Sequence, residues 1–68
     1  MYVIRDENGS YWMLCGTRAG LVWSEDLKDA QMFDKASYAA RLMAAERLES
    51  CDIVRIEEVT TYRELEVV

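Results

Sequence analysis

An Asn-Gly pair at residues 8 and 9 lies between two runs of β-forming residues, 2–5 and 11–15. Asn and Gly both tolerate positive φ, so this arrangement is the strongest short-range signal of a β-hairpin. A two-residue turn at Asn8-Gly9 predicts that Arg5 pairs with Trp12. One face of this hairpin then carries Tyr2, Ile4, Tyr11, Met13 and Cys15, and the other carries Val3, Arg5, Trp12 and Leu14.

The segment that follows the hairpin is predicted to be a loop, a short strand and a short helix. Residues 16–20 have a glycine at each end and indicate the loop. Residues 21–23 are apolar and indicate a third strand. Ser24 is a favoured N-cap residue, and acidic residues follow it, so a short helix is expected over residues 25–30.

The longest predicted element is a helix over residues 35–49, with Asp34 as its N-cap. This segment is rich in Ala, Leu, Met, Glu and Arg, which have high helix propensity. At about 100° per residue, one stripe of small and apolar side chains forms along the helix. That stripe is expected to pack on the sheet and consists of Ala36, Ala39, Leu42 and Met43.

A second stripe, on the opposite side of this helix, needs another explanation. One interpretation is an interface with another protein, most simply a homodimer. The other is that loops cover these side chains, or that they are scattered apolar residues exposed at the surface, as is common in proteins. Trp12 joins this candidate because the predicted hairpin places it beside Arg5, away from the larger apolar set. The candidate dimer or apolar interface is Trp12, Tyr38, Arg41, Ala45 and Leu48.

The pattern after Ser50 changes to alternation with a period of two, which predicts strands over residues 53–59 and 62–68. If Thr60-Thr61 turns the chain, opposite-charge and apolar residues meet across the ladder. The expected pairs are Val54 with Val67, Ile56 with Leu65, Glu58 with Arg63, Arg55 with Glu66 and Glu57 with Glu64. A looser connection or an independent tail is the alternative, because Thr-Thr is poor turn chemistry.

These elements predict one α+β domain over residues 1–68. Its fold is an antiparallel sheet of about four to five short strands, with one main helix packed on one face in the order β-β-β-α-β-β. A chain this short buries only about 60% of its unfolded surface, so its fold is expected to be marginal without help.

Composition excludes several function classes. Histidine is absent, acids outnumber bases 13 to 8, and the formal net charge is −5. Histidine-based catalysis is therefore excluded, and the acidic balance argues against binding to nucleic acid or its backbone phosphates. Cys15 and Cys51 have no metal-ligand spacing and are expected to be free thiols in a reducing cytoplasm, with a disulfide as the alternative. No apolar run is long enough to span a membrane and no signal peptide is recognised, and we expect no enzyme activity, metal or cofactor.

The acidic residues are the main candidates for contact with a partner. Complementary charge would speed and orient association with a basic groove on another protein, whereas the alternative is a surface that only aids solubility. The expected partner-binding residues are Glu25, Asp26, Asp29, Glu57, Glu64 and Glu66.

The segment from Trp23 to Asp34 has the pattern W-x-x-D-L-x-x-A-x-x-F-[DS], and Ala39 follows it. Together with the opening run Y-V-I-R-D-E-N-G-S-Y, it resembles a module in small orphan proteins of phages and mobile elements, over residues 1–39. That broad class includes anti-CRISPR inhibitors, which are often small, acidic and non-enzymatic and act by occluding a site on a nuclease or surveillance complex. The resemblance assigns no functional residue.

Charge and resemblance together predict a small acidic binding protein in the cytoplasm of a bacterial host. It is expected to be a phage-encoded inhibitor of a nucleic-acid-handling defence complex, with a nuclease or CRISPR effector subunit as its partner. The alternative is a homodimeric accessory or scaffold domain without an inhibitory role.

Overall fold

The computed structural model of the chain describes residues 1–13, 23–58 and 62–68. The predicted glycine loop, most of the predicted third strand, Cys15 and the Thr60-Thr61 turn lie outside these residues. The described elements, in chain order, are β1 (Tyr2–Asp6), β2 (Tyr11–Trp12), β3 (Trp23–Ser24), a 3₁₀ turn (Leu27–Asp29), α1 (Ala36–Ala45), β4 (Cys51–Glu58) and β5 (Tyr62–Val67).

The strands form one antiparallel sheet in the order β3-β2-β1-β4-β5, with α1 packed on it. This confirms the predicted α+β class. The strand β1 lies at the centre because β2 pairs with one of its edges and β4, which follows the helix, pairs with the other.

The core lies on both faces of β1, whose adjacent residues Val3 and Ile4 are fully buried. Adjacent residues of a strand point to opposite faces. The face that carries Ile4, here called the helix face, packs with Trp12 and with Ala39 of α1. The face that carries Val3, here called the 3₁₀ face, packs with β4 and with the segment around the 3₁₀ turn.

The first hairpin has a three-residue loop, so the predicted two-residue turn is wrong. Asp6 and Gly9 close a four-residue turn, since the Gly9 N–H donates to the Asp6 carbonyl at 3.2 Å. Gly9 has φ +85°, and Arg5 pairs with Tyr11. The hydrogen bond and the positive φ match a type I turn followed by a glycine bulge, a common three-residue hairpin connection.

The longer turn shifts the pairing register by one residue and exchanges the faces of β2. Tyr11 therefore shares the 3₁₀ face with Arg5, while Trp12 joins Ile4 on the helix face. Trp12 is only 6% exposed and lies against Phe33, with ring centroids 6.4 Å apart. The prediction that Trp12 belongs to an exposed interface is wrong for this reason.

The pairing of β4 with β5 agrees with the prediction only near the end of β5. Val54 pairs with Val67 and Arg55 with Glu66, as expected. The register then shifts, and Ile56 pairs with Glu64 instead of Leu65. The bulge makes Leu65 the extra residue, replaces the predicted Glu57–Glu64 pair and moves Glu64 to the 3₁₀ face.

The main helix is shorter than predicted at both ends. Lys35, with extended backbone angles, occupies the N-cap position that was predicted for Asp34, and it makes no side-chain cap bond. At the other end Arg47 takes a left-handed φ of 54°, and the Leu48 N–H donates to the Met43 carbonyl at 2.9 Å. This is the hydrogen-bond pattern of a Schellman motif, which stops a helix.

Because the helix stops at Ala45, Leu48 does not extend the outer stripe. Leu48 is half-buried and packs with the cluster on the helix face. Its predicted place on the outer stripe of the helix is therefore wrong, whereas its role in an interface stays a prediction. The predicted inward stripe is supported, since Ala39 is fully buried and Leu42 and Met43 pack beside it.

The short helix is a single 3₁₀ turn with Asp26, not Ser24, as its N-cap. The Asp26 carboxylate accepts a hydrogen bond from the Lys28 N–H at 3.1 Å. Ser24 belongs to β3, and its hydroxyl accepts from the Asp26 N–H at 3.1 Å.

Candidate functional site

A polar network crosses the 3₁₀ face of the sheet and joins three strands. One oxygen of Glu64 accepts a hydrogen bond from Nη1 of Arg5 at 2.8 Å. Its other oxygen accepts from the hydroxyl of Tyr11 at 2.7 Å. Both bonds have an ionised partner, so they are stronger than bonds between neutral groups.

The two register shifts described above create this network. The hairpin bulge places Tyr11 on the face of Arg5, and the β5 bulge places Glu64 on that same face. Burial, followed by the hydrogen bond to Glu64, raises the pKa of Tyr11 to about 12, against the opposing effect of Arg5. The phenol is therefore protonated at neutral pH and acts as a hydrogen-bond donor.

A polar cleft of about 420 Å³ opens beside this network, at the end of the sheet where the first hairpin turns. Its lining residues are Arg5, Asp6, Glu7, Asn8, Gly9, Tyr11 and Asp52. Asp6 holds the turn, since its Oδ1 accepts hydrogen bonds from the N–H groups of Asn8 at 2.9 Å and Ser10 at 2.8 Å. The cleft wall next to Asp6 is therefore fixed by main-chain hydrogen bonds.

The cleft is negatively charged. Asp6, Glu7 and Asp52 contribute carboxylates, and Arg5 is the cation among its lining residues. Arg5 lies 2.8 Å from Glu64 but 4.0 Å from Asp52, so its closest ion pair is outside the cleft. The same carboxylates act on the nearby Cys51 thiol. Its pKa is raised first by burial and then by the negative charges of Asp6, Asp52 and Glu7.

The acidic residues predicted to bind a partner do not form one continuous surface. Glu64 lies on the 3₁₀ face in the polar network, whereas Glu66 lies on the helix face and pairs with Arg55 at 3.0 Å. Glu57 alternates with Ile56 and therefore also lies on the helix face.

The acids around the 3₁₀ turn form a second group, beside Ser24 of β3, which pairs with Tyr11 across the sheet. Asp26 pairs with Lys28 at 3.6 Å and Asp29 accepts from the Ser24 hydroxyl at 3.1 Å. Both carboxylates therefore have a local structural role, and Glu25 is exposed beside them.

Three of the residues predicted for an apolar interface do lie together. Tyr38, Arg41 and Ala45 line a groove of about 370 Å³ on the outer side of α1, with Phe33 and Leu42. Trp12 and Leu48, the other two, belong to the core cluster of the helix face.

Sequence reasoning did not single out Glu7 and Asp52 as partners in one site. Asp52 enters the cleft because it pairs with Arg5 across β1 and β4, strands separated by more than forty residues. One sequence feature did point to part of the cleft. Asp is favoured at the first position of a type I turn, and this preference indicates a turn that begins at Asp6 and includes Glu7.

The described part of the chain contains no group of three or more His, Cys, Asp or Glu side chains arranged to hold a metal ion. In the same residues no helix is long and apolar enough to cross a membrane. Comparisons of the chain with protein-family models, with curated proteins and with solved structures find no significant match.

Proposed function

We propose that this protein is a non-catalytic binding module that docks its acidic cleft on a basic surface of another protein. The observation that supports this most directly is the set of carboxylates around the cleft, Asp6, Glu7 and Asp52. The nearby guanidinium of Arg5 is held by Glu64. A basic partner would therefore meet a net negative charge, since three carboxylates and one guanidinium line the cleft and the shorter ion pair of Arg5 is with Glu64. Such a charge favours fast, oriented association.

The proposed partner is a protein whose basic groove serves to hold nucleic acid. A chain of net charge −5 is suited to occupy such a groove in place of the phosphates. The resemblance of residues 1–39 to small phage proteins suggests that this partner belongs to a bacterial defence system. In that setting the protein inhibits a defence nuclease or CRISPR effector complex by occlusion, in the cytoplasm of a bacterial host.

The test is competition with nucleic acid. Purified nucleases and CRISPR effector complexes are incubated with target DNA, with and without this protein, and DNA binding is measured. We expect the protein to displace DNA from its partner. The double variant Glu7→Lys with Asp52→Asn should slow association about tenfold at low salt, and the loss should shrink as salt increases.

The matched control is Glu25→Lys with Asp29→Asn, which changes the net charge equally on the 3₁₀ turn. If this control slows association and the cleft variant does not, the acids around the 3₁₀ turn are the binding surface and the cleft is not. Displacement of DNA from none of the complexes would contradict the inhibitor proposal.

A second candidate function, a homodimeric scaffold, is favoured by the outer strand of the sheet. β5 lies at the edge of the described sheet, and Leu65 and Val67 on it are 41% and 53% exposed. Exposed apolar edge strands pair readily with another strand. Light scattering distinguishes the two functions, since a dimer would have twice the mass of the monomer and Leu65→Lys should return it to a monomer.

A further inference from the structure

The helix α1 differs in charge from the rest of this acidic chain. Of its ten residues, Arg41 is the charged one, and none is acidic. Its inward side is anchored by the fully buried Ala39. Its outer side leaves Tyr38 44% exposed and Ala45 exposed. The outer side is therefore apolar with a single positive charge.

The groove along this outer side has a firmly held floor. Phe33, one of its lining residues, exchanges two main-chain hydrogen bonds with Tyr2, each 2.8 Å long. Its ring also lies against the buried Trp12. Leu42 packs from the helix into the same cluster. A ligand would consequently meet a preformed apolar surface, and little conformational entropy would be lost on the protein side.

Positive charge borders this apolar floor. Arg41 lines the groove and makes no ion pair with any residue that the structure describes. Lys35 lies over the ring of Tyr38, with its Nζ 5.6 Å from the ring centroid. The groove thus offers aromatic and aliphatic contact together with cations. A ligand that fits it would pair an apolar side chain with a carboxylate.

We propose that this groove binds an acidic amphipathic segment of a partner protein. An apolar side chain of the segment packs on Phe33 and Leu42, and a carboxylate of the segment pairs with Arg41. Distant carboxylates of the chain are screened, because the Debye length is about 8 Å at about 0.15 M salt. The exposed Asp34 and Glu46 directly follow the groove-lining Phe33 and Ala45, so the carboxylate of the segment is placed at Arg41 rather than at the ends of the groove. The site is separate from the acidic cleft and does not depend on its function.

The test is selection from a displayed library of random peptides, with the intact protein as bait. We expect enriched peptides to combine apolar residues with Asp or Glu. NMR chemical-shift changes on addition of the strongest peptide should centre on Tyr38, Arg41 and Ala45. Arg41→Gln and Ala45→Glu should each weaken its binding about tenfold, which corresponds to about 1.4 kcal/mol.

Ala40→Glu is the matched control, since it adds the same charge to an exposed position of the same helix outside the groove lining. The affinity of this variant for the peptide should stay within about twofold of that of the unmodified protein. Circular dichroism should show that all variants remain folded. Enrichment of basic peptides, shift changes elsewhere or absence of enrichment would overturn the proposal. So would light scattering that shows a dimer disrupted by Ala45→Glu, because the groove would then hold a second copy.

Discussion

Glu64 joins three strands of the sheet through its side chain. It lies on β5, and its two oxygens bind Arg5 on β1 and Tyr11 on β2. The side chains of Arg5 and Glu64 are 25% and 31% exposed, so water screens their ion pair only partly. The network therefore holds the two outer parts of the sheet against the central strand.

Replacement of Glu64 by Gln keeps the shape of this side chain and removes its charge. We expect Glu64→Gln to lower the free energy of unfolding by about 1–2 kcal/mol, because hydrogen bonds to charged groups contribute about 1.5–3 kcal/mol. Urea denaturation measures the change. The matched control is Glu66→Gln on the same strand, whose more exposed ion pair with Arg55 should contribute less than about 1 kcal/mol. Equal effects of the two variants would contradict this view of the network.

The raised pKa of Tyr11 predicts that the protein loses stability at alkaline pH. Its pKa is about 12 in the folded protein against an ordinary value of 10.0. Above the ordinary value the unfolded chain releases this proton while the folded protein retains it, so the free energy of unfolding falls as pH rises from 10 to 12. Tyr11→Phe should remove this part of the pH dependence. Identical alkaline profiles of the two proteins, measured by urea denaturation, would show that Tyr11 does not contribute.

At the scale of the element, the end of α1 is formed by a residue poorly suited to its backbone. Arg47 occupies the left-handed position of the Schellman motif with φ 54°. Glycine is the usual residue there, because an L-residue in this conformation costs about 1–2 kcal/mol. The motif still forms, and it turns Leu48 back onto the core beside Met43.

We therefore expect Arg47→Gly to raise the free energy of unfolding by about 0.5–1 kcal/mol, since relief of strain is partly offset by the greater freedom of glycine in the unfolded chain. Thermal denaturation followed by circular dichroism measures the change. Glu46→Gly is the control, because Glu46 has φ −92° and gains no such relief. Stabilisation by both variants, or by neither, would argue against strain at Arg47.

At the scale of the whole molecule, stability depends on a central strand that is buried on both faces. A domain of this length has a total stability of about 3–10 kcal/mol, at about 0.05–0.15 kcal/mol per residue. Ile4→Ala should cost about 2–5 kcal/mol, because it removes part of a fully buried side chain from the helix face. Urea denaturation measures this loss; with a total stability at the low end of that range, the variant is partly unfolded even without urea.

Leu65→Ala provides the contrast, since Leu65 is 41% exposed at the bulge of β5. It should change stability by less than about 1 kcal/mol. A similar cost for both substitutions would mean that β5 is packed far more tightly than its exposure indicates.

The fold class could be predicted from the sequence because local patterns carry it. Alternation with a period of two marked β4 and β5, and a run of β-forming residues before Asn-Gly marked β1. Helix-forming residues with a regular apolar stripe marked α1. The inward side of α1, with Ala39 at its centre, also followed from that periodicity. These features depend on neighbours within a few residues along the chain, so they need no knowledge of the tertiary structure.

The polar network and the acidic cleft could not be predicted in the same way, because both depend on register. One extra residue in the first turn moved Tyr11 beside Arg5 and Trp12 into the core, and the bulge at Leu65 moved Glu64 to the same face. Sequence alone determined the strands, the helix and the acidic charge. Tertiary structure decided which face of the sheet each strand residue occupies, because a shift of one residue in strand pairing reverses every face while leaving the local pattern unchanged.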